Sequence, residues 1–422
     1  MSKALQVSFY DVPVGELTFE GGHLQFAYSQ AWLDDPKAVP LSVSLPLRPE
    51  PFMEKACRPF FAGLLPEGAI RKALAQQLRV SEGNDFAVLE SIGGECAGAV
   101  SLAAMGDVAE PIPVPEPAVR WLSEAELEKV ISDLPMRPML AGEDGIRLSL
   151  AGAQNKLPVV LEHGKIGVPE NGHPSTHILK PAISSLEGSV INEAFCLDLA
   201  AACGIRAAKV QMGRAGEAEY LLVERYDREI LENGQVRRLH QEDFCQAMGV
   251  SSELKYQNEG GPGLRACFDL VRKHTRPSAI HLLALLNYVS FSVMVGNNDA
   301  HGKNYSLLQT SRDPVLAPLY DVLCTSVYER LSDKMAMKIG SKYKFTEVQD
   351  RHWATFVSDA GLSFANARKI VIALADRIDV EAAKLAAQPP YAGNDLIERI
   401  MLKIGRNTRL VRERFNPPKM NA

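Results

Sequence analysis

The hydrophobic pattern at the start of the chain is that of short strands. Apolar and polar residues alternate in three runs between Leu5 and Tyr28, and a Val-Pro pair at 12–13 and a Gly-Gly pair at 21–22 separate the runs. Alternation with a period of two places the apolar side chains on one face of a strand, while proline and glycine pairs mark turns. The pattern predicts a β-meander that opens the protein.

A helical period follows, and then the strand pattern returns. Residues 58–78 carry apolar side chains three and four positions apart, with Pro66 permitting a break, and residues 85–98 predict a further helix that runs into glycines. After a short predicted helix at 123–134, six strand-like runs predict a second sheet between about residues 145 and 240: IRLSLA, KLPVVLE, THILK, AKVQMG, EYLLVERYD and VRRLH. Beyond the second sheet the pattern is almost wholly helical, with helices predicted at residues 243–248, 264–273, 280–296, 353–359, 364–385 and 394–407.

These patterns predict an α+β protein in four parts. The run PIPVPEP at residues 111–117 cannot continue a helix or a strand, and it indicates a semi-rigid connector. A chain of 422 residues is long enough for two or three folding units. We predict an N-terminal subdomain of meander and helices, a linker with a connecting helix, a sheet-rich lobe and a helical lobe, at residues 1–110, 111–143, 144–238 and 239–422 respectively.

Composition narrows the class of protein. Lys and Arg number 46 against 51 Asp and Glu, so the net charge of −5 provides no global basic field for nucleic acid or an anionic membrane. The seven cysteines form no C-x-x-C pair and indicate reduced core residues. The N-terminus lacks the apolar region of a signal peptide, and the apolar stretch at 280–296 is shorter than the ~20 residues that a bilayer requires. We expect a cytoplasmic protein without membrane contact, and a buried helix at 280–296.

The most informative motif is NNDAHGKNYS at residues 297–306, directly after the long apolar helix. Asp299 and Asn304 stand five residues apart, as the catalytic-loop Asp and Asn do in protein kinases, and Asp321 follows 17 residues after Asn304. In that arrangement Asp299 would take the proton of the acceptor hydroxyl, while Asn304 and Asp321 would supply oxygen ligands to Mg²⁺. An isolated D-x-x-x-x-N is also what a turn-rich loop produces, so the motif needs support from elsewhere in the chain.

Upstream residues supply the other parts of a nucleotide site. Lys180 ends a strand-like run, and the small residues Ala151, Gly152 and Ala153 precede Lys156. The backbone N–H groups of such a loop can approach phosphate oxygens, and a strand lysine can pair with them. The three-glycine kinase loop and the Walker A motif are both missing from the sequence, which excludes a P-loop protein.

Two further segments complete the kinase order. Glu193 follows Lys180 by 13 residues in a predicted helix, where it would either hold that lysine or remain an exposed helical glutamate. Glu224, Arg225 and Tyr226 lie at the end of an apolar strand, where a hinge between two lobes is expected. Their backbone N–H and C=O groups would hydrogen-bond to adenine there. The order is loop, lysine, helix glutamate, hinge strand, Asp/Asn pair and metal-binding Asp, and such an order is much less expected by chance than any single motif.

Segments along nearly the whole chain resemble the HipA serine/threonine kinases, which are toxins of bacterial toxin–antitoxin pairs. The matching segments are FFAGLLPEG, SIGGECAGAV, RLSLAGAQNK, THILKP, VERYDR, RLHQEDFCQAMG, NNDAHGKNYS, LYDV and KMAMKIG. The resemblance implies a two-lobed kinase-like fold of the phosphatidylinositol-kinase type, with an extra N-terminal β-rich subdomain and an all-helical C-terminal lobe.

The resemblance also implies roles for individual residues. Asp299 is expected to be the catalytic aspartate, and Asn304 and Asp321 are expected to bind magnesium. Ser149 matches the serine on which family members autophosphorylate, and this switches the kinase off because about two negative charges on the phosphate loop repel ATP phosphates and eject the loop. The residues predicted to bind ATP are Ala151, Gly152, Ala153, Gln154, Asn155, Lys156, Lys180, Glu224, Arg225, Tyr226, His301, Gly302, Lys303, Asn304, Tyr320 and Asp321.

The partners follow from the same resemblance. It implies ATP and Mg²⁺ as cofactors and a HipB-like helix-turn-helix antitoxin, through which the chain would meet operator DNA. It also implies a protein substrate such as glutamyl-tRNA synthetase or another tRNA synthetase, whose phosphorylation arrests growth. Two alternatives stay open: a catalytically silent corepressor that binds the antitoxin on operator DNA, and a small-molecule kinase such as an antibiotic phosphotransferase. The intact set Lys180, Asp299, Asn304 and Asp321 argues against the first, and the N-terminal segments argue against the second.

Overall fold

The computed structural model describes residues 3–105, 116–310 and 313–415. The chain divides into two compact units. Unit 1 consists of Met1–Ala182, Gln211–Ser252 and Leu308–Thr310, and unit 2 consists of Ile183–Val210, Glu253–Leu307 and Ser311–Ala422. Most of the predicted connector at 111–117 lies outside the described residues. The four-part division of the chain therefore stays a prediction.

A five-stranded antiparallel sheet opens unit 1, as the alternating pattern predicts. Its strands, in the order β4-β3-β2-β1-β5, are β1 (Lys3–Phe9), β2 (Val12–Glu20), β3 (His23–Tyr28), β4 (Phe52–Met53) and β5 (Val100–Ala104). Leu5, Val7 and Phe9 are fully buried because every second side chain of β1 points to the same face. The predicted meander is confirmed.

Four helices complete this part of unit 1: α1 (Gln30–Leu33), α2 (Glu54–Ala62), α3 (Gly68–Leu78) and α4 (Asp85–Ile92). The predicted break near Pro66 lies between α2 and α3. The helix predicted to reach residue 98 ends at Ile92, because Gly93 and Gly94 follow and the chain leaves the helix. Glu95 comes directly after these glycines.

A six-stranded sheet forms the other half of unit 1. Its strands, in the order β10-β11-β9-β7-β8-β6, are β6 (Ala118–Trp121), β7 (Leu157–Glu162), β8 (Lys165–Glu170), β9 (His177–Pro181), β10 (Val210–Ala215) and β11 (Ala218–Glu224). The accompanying elements are α5 (Glu124–Asp133), α7 (Phe244–Met248), the hairpin β12 (Arg228–Ile230) and β13 (Val236–Arg238), and β14 (Gln241–Asp243). Residues 146–151, predicted as a strand, contribute only an isolated bridge between Leu148 and Glu95, because Glu95 lies in a loop and no ladder extends from it.

Unit 2 is mainly helical but not wholly so. Its helices are α6 (Ser189–Ala202), α8 (Leu264–His274), α9 (Ser278–Val295), α10 (Asp350–Asp359), α11 (Phe364–Ala386) and α12 (Asp395–Arg414). The strands of this region are β15 (Ser306–Gln309), β16 (Pro314–Leu316), β17 (Lys334–Ile339) and β18 (Lys342–Lys344). The expectation of an all-helical C-terminal lobe is therefore wrong. Strands of three to six residues carry too little alternation to stand out beside long helices.

Helix α9 is the core helix of unit 2. Among the described residues it is the one helix that is long and apolar enough to cross a membrane, and 67% of its span is buried inside the protein. Its side chains are apolar on nearly all sides, which is the composition of a helix surrounded by other elements. The prediction of a buried helix at 280–296 is confirmed.

A buried carboxyl group lies in β14. Glu242 accepts a hydrogen bond from the hydroxyl of Ser42 at 2.5 Å and another from the N–H of Val43 at 3.0 Å. Burial raises the pKa of Glu242 to about 7, and the two hydrogen bonds only partly oppose this rise. The folded protein therefore holds a proton on Glu242 at a pH where the unfolded chain has lost it.

We expect Glu242 to make the free energy of unfolding fall as pH rises. Because its folded pKa lies above the unfolded value of about 4.3, its stabilising contribution is complete below that value and is lost as the pH rises through 7. The contribution is roughly 4 kcal/mol at most. Thermal melts between pH 5 and 8 should show a steeper fall of Tm in the wild type than in Glu242→Gln. Exposed Glu232→Gln serves as the control, and parallel curves for all three proteins would contradict the prediction.

Candidate functional site

A tight helix end in unit 2 leads into the loop at residues 297–304. Gly296 follows α9 with φ 78°, a left-handed conformation that glycine adopts at little cost. The N–H of Asn297 then donates to the carbonyl of Ser292 at 2.8 Å, which closes the helix. The loop therefore leaves a rigid, buried helix in a defined direction.

Asp299 lies exposed in this loop and is held at both its backbone and its side chain. Its N–H donates to Oδ1 of Asn297 at 3.0 Å, and its carbonyl accepts from the N–H of His301 at 2.8 Å. Its carboxylate Oδ1 accepts the hydroxyl hydrogen of Tyr256 at 2.6 Å. A carboxylate that is both exposed and fixed in orientation is suited to accept a proton from an incoming hydroxyl group.

The structure brings Asn304 and Asp321 together. Nδ2 of Asn304 donates to Oδ2 of Asp321 at 3.0 Å, and Oδ1 of Asn304 accepts from the N–H of His301 at 3.3 Å. Asp321 has φ 57°, a left-handed conformation that few residues other than glycine adopt and that aspartate tolerates better than most. Two residues predicted as metal ligands are thus neighbours in space, although 17 residues separate them in the sequence.

The oxygen atoms of this pair fit a magnesium ion. Mg²⁺ prefers carboxylate and carbonyl oxygens and commonly takes only one or two protein ligands, with phosphate oxygens and water completing its shell. Within residues 3–105, 116–310 and 313–415, no group of three or more His, Cys, Asp and Glu side chains forms a larger metal site. The amide oxygen of Asn304 and the carboxylate of Asp321 are therefore compatible in type with Mg²⁺.

The other residues predicted to bind ATP near this loop form hydrogen bonds that hold the loop in its conformation. The imidazole Nδ1 of His301 accepts from the N–H of Lys303 at 3.3 Å, and the short turn Gly302–Asn304 follows. The hydroxyl of Tyr320 donates to the carbonyl of Lys303 at 2.6 Å. His301 and Lys303 are both buried, so the loop is packed as a unit and is not a free surface turn.

In unit 1, the predicted phosphate loop is hydrogen-bonded to Leu64, Glu67 and Glu95. The hydroxyl of Ser149 is fully buried and donates to the carbonyl of Leu64 at 2.8 Å. The N–H of Ser149 donates to the carbonyl of Glu95 at 2.8 Å, and the N–H of Glu67 donates to the carbonyl of Gly152 at 3.0 Å. These three hydrogen bonds hold the loop in place at Ser149 and Gly152.

The same loop has a conformation that depends on small residues. Gly152 has φ 117°, and a Cβ atom at this position would lie 2.6 Å from Nζ of Lys156. That ammonium group donates to the carbonyl of Ala151 at 2.7 Å. Ala153 is exposed, and Gln154 and Asn155 are half-buried. The structure thus places the other five predicted loop residues, 151–155, in one short loop that ends at Lys156.

Lys180 and Glu193 are both buried, each in its own unit. Lys180 lies in β9 of unit 1, opposite Leu221 of β11, and Gln154 donates to the carbonyl of the neighbouring Pro181 at 3.4 Å. Glu193 lies in α6 of unit 2 and is 2% exposed. The interpretation of Glu193 as an exposed helical glutamate is therefore wrong.

The predicted hinge segment has a structural role that the sequence did not indicate. Glu224 ends β11 opposite His177, and the N–H of Arg225 donates to the carbonyl of Thr176 at 3.0 Å. The N–H of Arg225 thus extends the sheet, and its side chain is buried. The hydroxyl of Tyr226 donates to Oε1 of Gln241.

A buried ion-pair cluster surrounds the Arg225 side chain. Glu95 Oε1 lies 3.1 Å from Nη1 of Arg225 and 2.9 Å from Nη2 of Arg228, and its Oε2 lies 3.1 Å from Nη2 of Arg238. Asp227 accepts from Arg225 at 2.7 Å. Burial alone would raise the pKa of Glu95, but the guanidinium groups of Arg228, Arg225 and Arg238 outweigh burial and lower its pKa to about 2. The cluster is therefore fully charged at neutral pH.

Sequence reasoning missed this cluster and also missed Tyr256. The signal for the cluster was available, because Arg225, Asp227 and Arg228 follow an apolar strand without a break and a glutamate stands inside the glycine-rich run at 91–100. Tyr256 lies in a segment without any motif, 43 residues before Asp299. Only the folded chain brings it to the loop at residues 297–304.

Comparisons with known proteins agree along most of the chain. A family model of the HipA N-terminal domain matches residues 5–103, and a model of the HipA-like C-terminal domain matches residues 148–382. The candidate kinase Y4mE of Sinorhizobium fredii is 47% identical over 367 residues, which are 86% of this chain and 87% of that protein. The serine/threonine-protein kinase toxin HipA of Shewanella oneidensis is 32% identical over 372 residues, which are 85% of this chain and 83% of that protein.

A solved structure is similar over the same extent. A chain in the complex of HipA, HipB and operator DNA from Shewanella oneidensis matches with a TM-score of 0.83 at 28% identity, covering 97% of this chain and 98% of that chain. The fold, a mixture of α-helices with several sheets, is thus shared along nearly the full length of both chains.

Proposed function

Because the chain belongs to the HipA family of serine/threonine kinase toxins, we propose that it transfers the γ-phosphate of ATP to a hydroxyl group of a protein. The observation that carries the proposal is the arrangement of the loop at 297–304, in which an oriented Asp299 precedes the hydrogen-bonded pair of Asn304 and Asp321. A binding-only protein has no physical need for this combination.

The proposed reaction is an in-line transfer of the phosphoryl group. Asp299 accepts the proton of the acceptor hydroxyl as that oxygen bonds to the γ-phosphorus, and the bond to the β,γ-bridging oxygen breaks so that ADP leaves. Asn304 and Asp321 would hold Mg²⁺, which neutralises charge on the phosphates when it is bound. The backbone of residues 151–156, together with Lys156 and Lys180, would bind the phosphates.

The biological role that we propose is that of a toxin in a toxin–antitoxin module in the cytoplasm. Its support is the similarity to the HipA toxin and to a HipA chain solved with HipB and operator DNA. A HipB-like helix-turn-helix protein would be the antitoxin and would provide most of the contact with operator DNA. The acceptor would be a protein of translation such as a tRNA synthetase, and the catalytic region would have the two lobes of phosphatidylinositol kinases.

We propose that phosphorylation of Ser149 switches the enzyme off. The buried Ser149 hydroxyl donates to the carbonyl of Leu64, so a phosphate on this oxygen would remove the donor hydrogen and place about two negative charges at a fully buried position. The loop at residues 149–156 would leave its position, and its contacts with ATP phosphates would be lost. The same burial requires the loop to open before Ser149 receives a phosphate.

Incubation of the unmodified full chain with ATP and Mg²⁺ tests this proposal. We expect mass spectrometry to find phosphate on Ser149, and we expect phosphate transfer to other proteins to decline over the same period. Ser149→Ala should remain active throughout, and Ser91→Ala, which removes a similar bond from a serine hydroxyl to a backbone carbonyl, should behave as the wild type. A folded wild type that transfers no phosphate to itself or to any protein of a cell extract would favour the silent corepressor.

A further inference from the structure

We propose that Tyr256 is the positioning residue of the catalytic aspartate, and that it holds the Asp299 carboxylate in the orientation in which it receives the acceptor proton. The inference rests on the proposed kinase function and adds a residue to its machinery. Its basis is a single juxtaposition in unit 2, the 2.6 Å hydrogen bond from the Tyr256 hydroxyl to Oδ1 of Asp299.

The hydrogen bond from Tyr256 acts on a side chain that extends from an exposed position of the loop. Asp299 is exposed in a loop, and its backbone hydrogen bonds to Asn297 and His301 do not restrict rotation of its side chain. A hydrogen bond from a neutral hydroxyl to a carboxylate is short and about twice as strong as one between neutral groups. A carboxylate has about four lone-pair sites, so it can accept from a tyrosine and from an acceptor hydroxyl together.

Tyr256 is itself anchored to the elements around the loop. Its ring meets the His301 ring edge to face, with centroids 5.1 Å apart, and the carbonyl of Lys255 accepts from the N–H of Gly302 at 3.4 Å. On its other side, Oε1 of Gln257 accepts from the N–H of Lys338 in β17 at 2.9 Å. The segment 255–257 thus joins the catalytic loop to a strand through three consecutive residues.

Strand β17 also contacts the catalytic loop directly. The N–H of Ala336 donates to the carbonyl of Asn298, the residue before Asp299, at 2.8 Å. The residue after Tyr256 and the residue before Asp299 are therefore both hydrogen-bonded to the same strand, which restricts how far Tyr256 and Asp299 can move apart. Rigid support of this kind is what holds a reacting group within the narrow range of productive geometries.

Tyr256→Phe tests the inference because it removes one oxygen atom and leaves the ring in place. We expect kcat for phosphate transfer from ATP to fall by about 10-fold, with an unchanged KM for ATP, since the lost bond orients the base and is separate from the Asn304 and Asp321 pair. The matched control is Tyr391→Phe, whose hydroxyl donates to Asp198 at 2.5 Å in the same unit. The control removes the same kind of bond and should retain the wild-type kcat.

Hydrogen–deuterium exchange of the peptide that contains residues 297–304 provides a readout that does not depend on activity. Faster exchange in Tyr256→Phe than in wild type and Tyr391→Phe supports the inference, and equal exchange with an unchanged kcat overturns it. A KM for ATP that rises in step with a loss of Tm also overturns it, because the tyrosine would then have a general structural role. A wild type that transfers no phosphate refutes the proposed function, and the exchange rates alone then decide whether Tyr256 holds the loop.

Discussion

Replacement of Asp299 by asparagine should lower the rate of phosphate transfer by about 10²- to 10⁴-fold. Asparagine has the shape of aspartate and can still accept the hydrogen bond from Tyr256, but its amide does not take a proton from the acceptor hydroxyl. Binding of ATP should persist, because the predicted phosphate and metal contacts are made by other residues. The measurement is the initial rate of phosphate transfer from ATP, with ATP affinity determined separately by calorimetry.

The control for this substitution is an exposed aspartate of the same unit. Asp333 is paired with Lys344 at 2.7 Å on the surface, and Asp333→Asn should leave the rate within a factor of two of wild type because surface pairs contribute little. A rate in Asp299→Asn close to that of the wild type would exclude Asp299 as the general base. Loss of ATP affinity in this variant would instead indicate that Asp299 holds the nucleotide.

Replacement of Glu95 by glutamine should lower the free energy of unfolding by about 3 to 5 kcal/mol. The carboxylate is 1% exposed and balances the buried guanidinium groups of Arg225 and Arg228, which would keep their charges after its loss. Glutamine preserves the shape of the side chain, so the effect isolates the missing charge. Urea denaturation followed by circular dichroism measures the change.

The matched control is Glu229→Gln in the β12–β13 hairpin. Glu229 pairs with Arg237 at the exposed surface, where a pair is worth about 1 kcal/mol or less. A loss below about 1 kcal/mol in Glu95→Gln would mean that the rest of the cluster compensates the buried charges. Because the backbone carbonyl of Glu95 also accepts from the N–H of Ser149, we expect the variant to loosen the loop at residues 149–156 as well.

Much of the local structure could be predicted because it depends on periodicity. The alternation between Leu5 and Tyr28 places every second residue on one face of a sheet, and the apolar run at 280–296 is long enough to predict the helix that the structure buries. The interval between Asp299 and Asn304 belongs to one loop, so it survives folding unchanged. Short strands such as β17 were beyond this reasoning, because a few residues carry little alternation.

The sequence by itself therefore determined which residues are candidates for the chemistry. Only the tertiary structure decided which distant side chains contact them. Asp299, Asn304 and Asp321 could be selected from their spacing, but the contact of Tyr256 with Asp299 joins residues 43 positions apart, and the contact of Glu95 with Arg225 joins residues 130 positions apart. Periodicity describes which face of an element is buried, and it contains no information about which distant side chain lies against it. That choice depends on how the elements pack, and the packing places Tyr256 against Asp299, buries Ser149 and brings Arg225 and Arg228 to Glu95.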